Sequence, residues 1–388
     1  MYNVLMLNNI QLAGLERLPH ERYTITTDVQ QPDALLLRSY SLHDWSIPNT
    51  LLAVGRAGAG VNNIPLAEMS KRGIAVFNAP GANANAVKEL VLAGMLLASR
   101  NICPALAYVR ELKGNDSELN QLIEAGKKRF AGFELPGRTL GVIGLGNIGG
   151  RVANAAEMLG MRVIGYDPNI TVDNAWQLSA QVKQVTNIPE LLAQADFVTL
   201  HVPMLADTEH LINRERLRKA KPGLTLLNFA RAGVVDEQAV LDALAEKRLR
   251  SYVCDFPSTA LQGHPGVIAL PHLGASTQEA EENCAIMVAE QIRDYLEDGT
   301  VRNSVNFPSM EIPRTENGCR LLIVNANIPH MIERISTAIA RLNINILDML
   351  NRSRNDIACT LIDLSCPLPS TVVDEITRID GVLRVRLL

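Results

Sequence analysis

The sequence predicts an α/β protein of parallel sheets with crossover helices, followed by a smaller module of different rhythm. Three observations carry this. Short apolar runs suited to strands alternate with helical runs from residue 1 to about 300. Residues 306–318 interrupt the alternation with two prolines and a closing glycine, and read as a linker. Beyond them the pattern becomes βαββαβ within about seventy residues, a ferredoxin-like unit. At 388 residues the chain exceeds what one core supports, so two or three domains are expected.

Taken in order, strands are expected at residues 4–7, 34–37, 52–54 and 76–77, then a long helix over 86–100. Further strands fall at 139–143, 162–166, 197–201, 225–228, 252–254 and 267–270, with helices between. In the C-terminal module, strands are expected at 320–326, 344–353, 356–365 and 382–387. Its helices span 329–342, with Ile332, Ile335, Ile339 and Leu342 on one face, and 370–379.

Composition excludes several functions. The net charge is −4 with both signs mixed, which leaves no basic stripe to replace phosphate counterions on a nucleic acid. The six cysteines are scattered without a C-x-x-C pair, so no metal site is signalled and a reducing, cytoplasmic setting is expected. The opening residues read as a first strand rather than an export leader. The apolar run 89–100 is far short of a membrane span and reads as a buried helix, suited to packing against a second subunit.

Leu140-Gly-Val-Ile-Gly144-Leu-Gly146-Asn147-Ile148-Gly149 carries G-x-G-x-x-G between an apolar strand and a helix. A second strand ends at Asp167, 18 residues past Gly149. In this context the pattern is a Rossmann dinucleotide loop. Gly144 permits the tight turn, Gly146 lets a pyrophosphate approach the backbone, and Gly149 lets the helix sit close on the strand. Free amides at the helix start hold phosphate charge. Asp167 can accept from both ribose hydroxyls and would repel a 2′-phosphate, which favours NAD over NADP.

Three features downstream lie at predicted strand ends, where such sheets bind ligands. The strand at 225–228 runs through Phe229 and Ala230 into Arg231, whose planar fork suits a carboxylate and a carbonyl oxygen. Alone, such an arginine equally fits a surface residue paired with a helix acid. Asp236 fits a helix cap. Asp255 ends another strand and could face a nicotinamide or merely cap a turn. Pro271-His272 ends a third. Histidine can take a hydroxyl proton while hydride leaves the same carbon. His201 ends a strand and can line the cofactor cleft through its backbone.

Together, Arg38-Ser39, Gly55-Arg-Ala-Gly-Ala-Gly60, Phe77-Asn-Ala-Pro80, the glycine loop, Asn228-x-x-Arg231 and Pro271-His-Leu-Gly-Ala-Ser-Thr277 resemble the D-2-hydroxyacid dehydrogenase family over nearly the whole chain. The C-terminal module resembles an ACT domain. The resemblance implies a Rossmann NAD domain, residues 99–274, inserted in a flavodoxin-like substrate domain, residues 1–98 and 275–306. A linker at 307–318 and a regulatory ACT-like domain at 319–388 would follow. Arg231 would bind the substrate carboxylate and His272 would be the acid/base. NAD would contact Asn147, Ile148, Asp167, the Phe229–Arg231 backbone, Asp255 and the turn His272, Gly274 and Ala275. Arg38 and Ser39 would reach a substrate phosphate, and amides around Ala59 and Gly60 would seat the carboxylate. The implied substrate is 3-phospho-D-glycerate or a related 2-hydroxy acid such as the one derived from 2-oxoglutarate. A homodimer or homotetramer is implied, with no nucleic-acid or membrane partner. Corepressors of the same fold that use NAD as a ligand are the competing class; Arg231 and His272 speak against it.

The chain departs from the family pattern in places. The family usually has a glutamate between the positions of Asp255 and His272 that bonds the histidine; residues 256–271 contain none. Either the pH–rate profile moves to the acid side or Asp255 substitutes. Asn62 and Ala232 stand where the family often has Asp and Gly. In the module, Asn327-Ile-Pro329-His330 lacks the glycine usual after that proline in amino-acid-binding ACT domains. Asn325, Asn327 and Asn345 could still hold L-serine at a dimer seam, or the module could only assemble subunits.

Overall fold

The computed structural model describes residues 1–315 and 318–388. It forms two compact units, Met1–Asn83 with Gln278–Leu388, and Ala84–Thr277. The first begins with five parallel strands, β1 (Tyr2–Leu7), β2 (Tyr23–Thr26), β3 (Ala34–Leu37), β4 (Ala53–Arg56) and β5 (Ala75–Asn78), in the order β2-β1-β3-β4-β5. This is the flavodoxin-like order. A parallel sheet covered on both faces needs apolar strands, and all four residues of β3 are buried. Helix Gln278–Asp298 covers one face with Ala285, Val288, Ile292 and Tyr295. The edge strand β2, with its mixed Tyr-Thr-Ile-Thr sequence, escapes the apolar-run criterion.

The second unit holds seven parallel strands: β6 (Thr139–Ile143), β7 (Arg162–Tyr166), β8 (Lys183–Gln184), β9 (Phe197–Leu200), β10 (Leu224–Asn228), β11 (Leu249–Cys254) and β12 (Val267–Ala269). Their order is β12-β11-β10-β9-β6-β7-β8. The chain winds outward from β6 to β8, then returns to the other side of β6. The reversal between β6 and β9 opens a crevice at the carboxyl ends of the strands. Helix Asn147–Met158 starts there.

That helix buries Gly149, Gly150, Val152, Ala153 and Ala156, whereas Leu159, which ends the apolar spacing read from sequence, is largely exposed. Small residues let the helix lie close on the sheet, so size rather than hydrophobicity selects the inward face. Helix Ala84–Ser99 also belongs to this unit. It packs on helix Asn147–Met158, β10 and β11, and its Val87, Val91, Met95 and Ala98 share a core with Leu140, Leu227 and Val253. The compact unit starts at Ala84, where residue 99 was expected, and runs to Thr277, where 274 was expected.

The C-terminal module has the expected ferredoxin-like form. Its strands β13 (Cys319–Ala326), β14 (Ile346–Arg354), β15 (Ile357–Leu364) and β16 (Val382–Leu387) are antiparallel in the order β14-β15-β13-β16. Helices Met331–Ala340 and Ser370–Thr377 cover the face of Leu321, Ile323, Ile362 and Leu364. The other face, with Leu322, Val324, Cys359 and Leu361, shares the core of Tyr295, Phe307 and Met310. The expected linker at 307–318 is thus corrected at its start. Phe307 and Met310 are fully buried, and Val301 and Met310 exchange backbone hydrogen bonds of 2.8 and 3.0 Å. Glu316 and Asn317 of that segment lie outside the described residues. Arg320 and Asp363, each 1 % exposed, form a buried ion pair at 2.6 Å. Among the described residues no single helix is long and apolar enough to cross a membrane.

Candidate active site

Strand register builds the site in the second unit. Ile143 is paired with Tyr166 and Leu200, Leu200 with Asn228, Asn228 with Cys254, and Cys254 with Ala269. The residues that follow each strand end, Gly144, Asp167, His201, Phe229, Asp255 and Leu270, therefore stand in one row along the carboxyl edge.

The cofactor cradle lies at the centre of that row. Gly144 has φ +89° and donates to the Tyr166 carbonyl at 2.9 Å. A Cβ at Gly149 would fall 1.8 Å from the Gly144 oxygen, whereas one at Gly146 would meet nothing within 4 Å. The loop is thus closed on its inner side and open where a pyrophosphate must approach. The first helical bond runs from the Gly150 amide to the Gly146 carbonyl, which leaves the amides of Asn147, Ile148 and Gly149 outside the ladder for phosphate oxygens. Asp167 accepts from the Leu145 amide at 2.8 Å and from the Asn169 amide at 2.9 Å. A carboxylate held in this way keeps lone pairs for two ribose hydroxyls. The chain's own residues fit NAD.

His201 closes the neighbouring strand. Its amide donates to the Ile143 carbonyl, and its own carbonyl lies against Gly144. The ring Nε2 lies 3.0 Å from Thr199 Oγ1, and Nδ1 is buried with no partner among the described residues. Burial pushes the ring pKa down from 6.5 to about 3, so this histidine stays neutral.

Arg231 is exposed at the mouth of the loop after β10. Buried Asn228 braces that loop: its Oδ1 accepts from the Ala230 amide at 3.1 Å and its Nδ2 donates to the Arg231 carbonyl at 2.9 Å. The Ala230 amide is therefore already used. Phe229 and Ala230 are buried. Asp236 caps helix Glu237–Ala245 through the Ala239 amide, as the sequence suggests.

Asp255 requires a correction. It is 1 % exposed, and its oxygens accept from the amides of Leu273 and Gly274, both at 2.7 Å. It is a latch under the turn that carries His272, and no hydrogen bond joins it to the imidazole among the described residues. His272 itself is exposed, with φ +57° and its amide donating to the Asp255 carbonyl at 3.1 Å. Its ring lies 4.8 Å from that of Phe256. Gly274 is buried and Ala275 half-buried.

The expected phosphate residues belong to the first unit, at the end of β3. Asn8 Oδ1 accepts from the amides of Arg38, Ser39 and Tyr40 at 3.4, 3.2 and 2.8 Å. The Arg38 guanidinium pairs with Glu281 at 2.7 Å. Hydrogen bonds from Gln11 and Arg38 hold the Glu281 carboxyl below its usual range. The Ala59 carbonyl accepts from Asn78 Nδ2 at 2.6 Å, and Ala59 and Gly60 are half-buried. Asn8 and Glu281 have no motif around them, and only the folded chain brings them to Arg38.

The three module asparagines do not converge within one chain. Asn325 faces Ala358, and Asn327 Nδ2 donates to the Asn355 carbonyl at the hairpin turn. Asn345 accepts from the Ser365 amide at the other end of the hairpin, about 20 Å away at about 3.3 Å per residue. Asn325 Oδ1 is buried without a partner among the described residues.

Fold and site thus define an α/β protein with a Rossmann cradle for NAD. Residues 92–274 match the D-isomer specific 2-hydroxyacid dehydrogenase, NAD binding domain, family. The chain is 41 % identical over 274 residues to D-3-phosphoglycerate dehydrogenase of Methanocaldococcus jannaschii, covering 69 % of this chain and 49 % of that protein. It is 35 % identical over 349 residues to D-3-phosphoglycerate dehydrogenase of Haemophilus influenzae, covering 87 % and 81 %. Among solved structures, NAD+-bound 3-phosphoglycerate dehydrogenase in Entamoeba histolytica superimposes with a TM-score of 0.59 at 25 % identity, over 79 % of this chain and 98 % of that one. The chain belongs to the D-2-hydroxyacid dehydrogenase family, and NAD is its cofactor. It spans about half the length of the Methanocaldococcus relative.

Proposed function

We propose that the chain oxidises 3-phospho-D-glycerate with NAD to 3-phosphohydroxypyruvate and NADH, the step that opens L-serine biosynthesis. The reading rests on the aligned row that puts the NAD cradle, Arg231 and His272 on one sheet edge, in a chain whose relatives bear that enzyme's name. Bound NAD supplies a nicotinamide that accepts hydride from C2 of the substrate. Arg231 offers two parallel N–H donors to the substrate carboxylate and the C2 oxygen. A ring nitrogen of His272 takes the C2 hydroxyl proton. Asn228 and Asp255 fix the backbones of the two loops that carry these groups, which lowers the ordering left to the reaction. Arg38 and Ser39 receive the phosphate.

One observation favours a second reading. Glu281 already neutralises Arg38, which weakens that site for a dianion and suits an unphosphorylated 2-oxo acid such as 2-oxoglutarate. Assays with NAD and 3-phosphoglycerate, and with NADH and a panel of 2-oxo acids, separate the two. The phosphorylated pair is expected to have the highest kcat/KM. An equal or higher value for an unphosphorylated acid sinks the first assignment.

A homo-oligomer in the cytoplasm completes the proposal. Helix Ile102–Glu111 buries no residue within its own chain, and Leu96, Leu106, Val109 and Leu122 are each more than 40 % exposed. Light scattering should give a mass at least twice 42.4 kDa. An L-serine site would need a second chain to bring the asparagines together. Titration calorimetry with L-serine decides it, and no heat together with no inhibition removes serine as an effector.

A further inference from the structure

We propose that Phe256 is the positioning residue for the His272 ring, in place of the carboxylate that residues 256–271 lack, and that Glu237 and Ser258 hold Phe256 there. The proposal rests on the reading of His272 as the proton acceptor.

The turn around His272 leaves one degree of order unsupplied. Its backbone is fixed by the Asp255 carbonyl on the His272 amide and by the Asp255 carboxylate on the next two amides. That sets the direction of the Cα–Cβ bond but not the torsion of the ring. No hydrogen bond joins the Asp255 carboxylate to the imidazole among the described residues. The ring instead meets Phe256, with centroids 4.8 Å apart and planes at 54°. The separation lies within the contact range of aromatic pairs. The contact limits the ring torsion that the backbone bonds leave open.

Phe256 is itself anchored. Two residues on, the Ser258 hydroxyl donates to Glu237 Oε2 at 2.6 Å. The amides of Leu261 and Gln262 donate to the Ser258 carbonyl at 3.2 and 3.1 Å, and Leu261 is buried. Glu237 opens the helix that follows the Arg231 loop. One carboxylate therefore ties the loop of the proposed substrate-binding arginine to the loop that orients the proposed base.

Steady-state kinetics, NADH titration and thermal melting of Phe256→Leu, Phe256→Tyr and His272→Asn test this. Phe256→Leu should lower kcat about tenfold, with KM, NADH affinity and Tm close to wild type, and Phe256→Tyr should restore kcat to within about twofold. A Leu variant with wild-type kcat, or a Tyr variant as slow as the Leu one, overturns the proposal. So does a parallel loss of NADH affinity and Tm in Phe256→Leu, which would reduce the residue to packing. Wild-type turnover in His272→Asn overturns the underlying assignment of the base, and the role of Phe256 falls with it. Loss of turnover in His272→Asn beside a fully active Phe256→Leu removes only the present proposal.

Discussion

Asp255 holds two amides of the His272 turn from a nearly solvent-free position, and that geometry sets what its replacement would do. Asn at this position can accept from only one of the two amides, and its own NH2 group would oppose the other. Asp255→Asn is expected to cost about 1–3 kcal/mol of stability and to lower kcat by loosening the turn. Thermal melting beside steady-state kinetics checks both, and a variant with unchanged Tm would show that the latch is dispensable. Arg231 is different, because it is exposed and its side chain carries no core. Arg231→Ala should lower kcat/KM by about 10²–10³-fold, the scale found for removing one preorganised donor, while NADH affinity persists. Loss of NADH binding in that variant would move Arg231 from substrate to cofactor. Both residues were visible in sequence as polar side chains ending apolar strands. Their difference was not, because the burial of Asp255 and its bonds to Leu273 and Gly274 join residues that no local pattern connects.

At the scale of the element, strand ends decide the chemistry. His201 ends β9 with one ring nitrogen buried and unpartnered. Its pKa is lowered in the folded state, from 6.5 to about 3, by burial. Between these values the unfolded chain binds a proton that the folded chain does not, so stability is present above pH 6.5 and is lost as pH falls toward 3. The slope from this one group is up to about 1.4 kcal/mol per pH unit. In His201→Gln the acid-side fall of Tm should be shallower than in wild type; identical Tm–pH curves would refute it. Strands were the most legible elements, because parallel strands buried on both faces are continuous apolar runs. Helix faces were less so. In helix Met331–Ala340, Ile335 and Ile339 are buried as the spacing suggests, but Ile332 is 43 % exposed and Met331 and Ala338 take inward places. Helix Asn147–Met158 turns its small residues inward because Gly149 allows close contact with Gly144.

At the scale of the whole molecule, the C-terminal module is part of the first unit's core rather than a tethered domain. Five arginines of its strands secure it. Arg320, Arg352, Arg354, Arg384 and Arg386 donate to main-chain carbonyls that include those of Pro313, Ser309, Ser304, Asn49 and Tyr295. Arg320 also neutralises buried Asp363, whose carboxyl burial pushes up while its bonds to Arg320 and Thr315 bring it below its usual value. Arg320→Leu leaves that carboxylate buried and unpaired, which should cost about 3–5 kcal/mol. Adding Asp363→Leu should recover much of the loss. Urea unfolding of the single and double variants checks this, and a single variant as stable as wild type would show that the pair does not secure the module.

The sequence by itself determined the α/β class, the NAD loop, the family and the βαββαβ module. Each of these is written in contiguous residues whose local periodicity or spacing has a direct physical meaning. Only the tertiary structure decided that helix Ala84–Ser99 belongs with the NAD-binding unit, that Phe307 and Met310 are core, that Asp255 is a latch, and that Phe256 and Glu281 stand beside His272 and Arg38. These depend on side chains distant in sequence meeting at a sheet edge or on a buried face, and burial is a property of the folded whole.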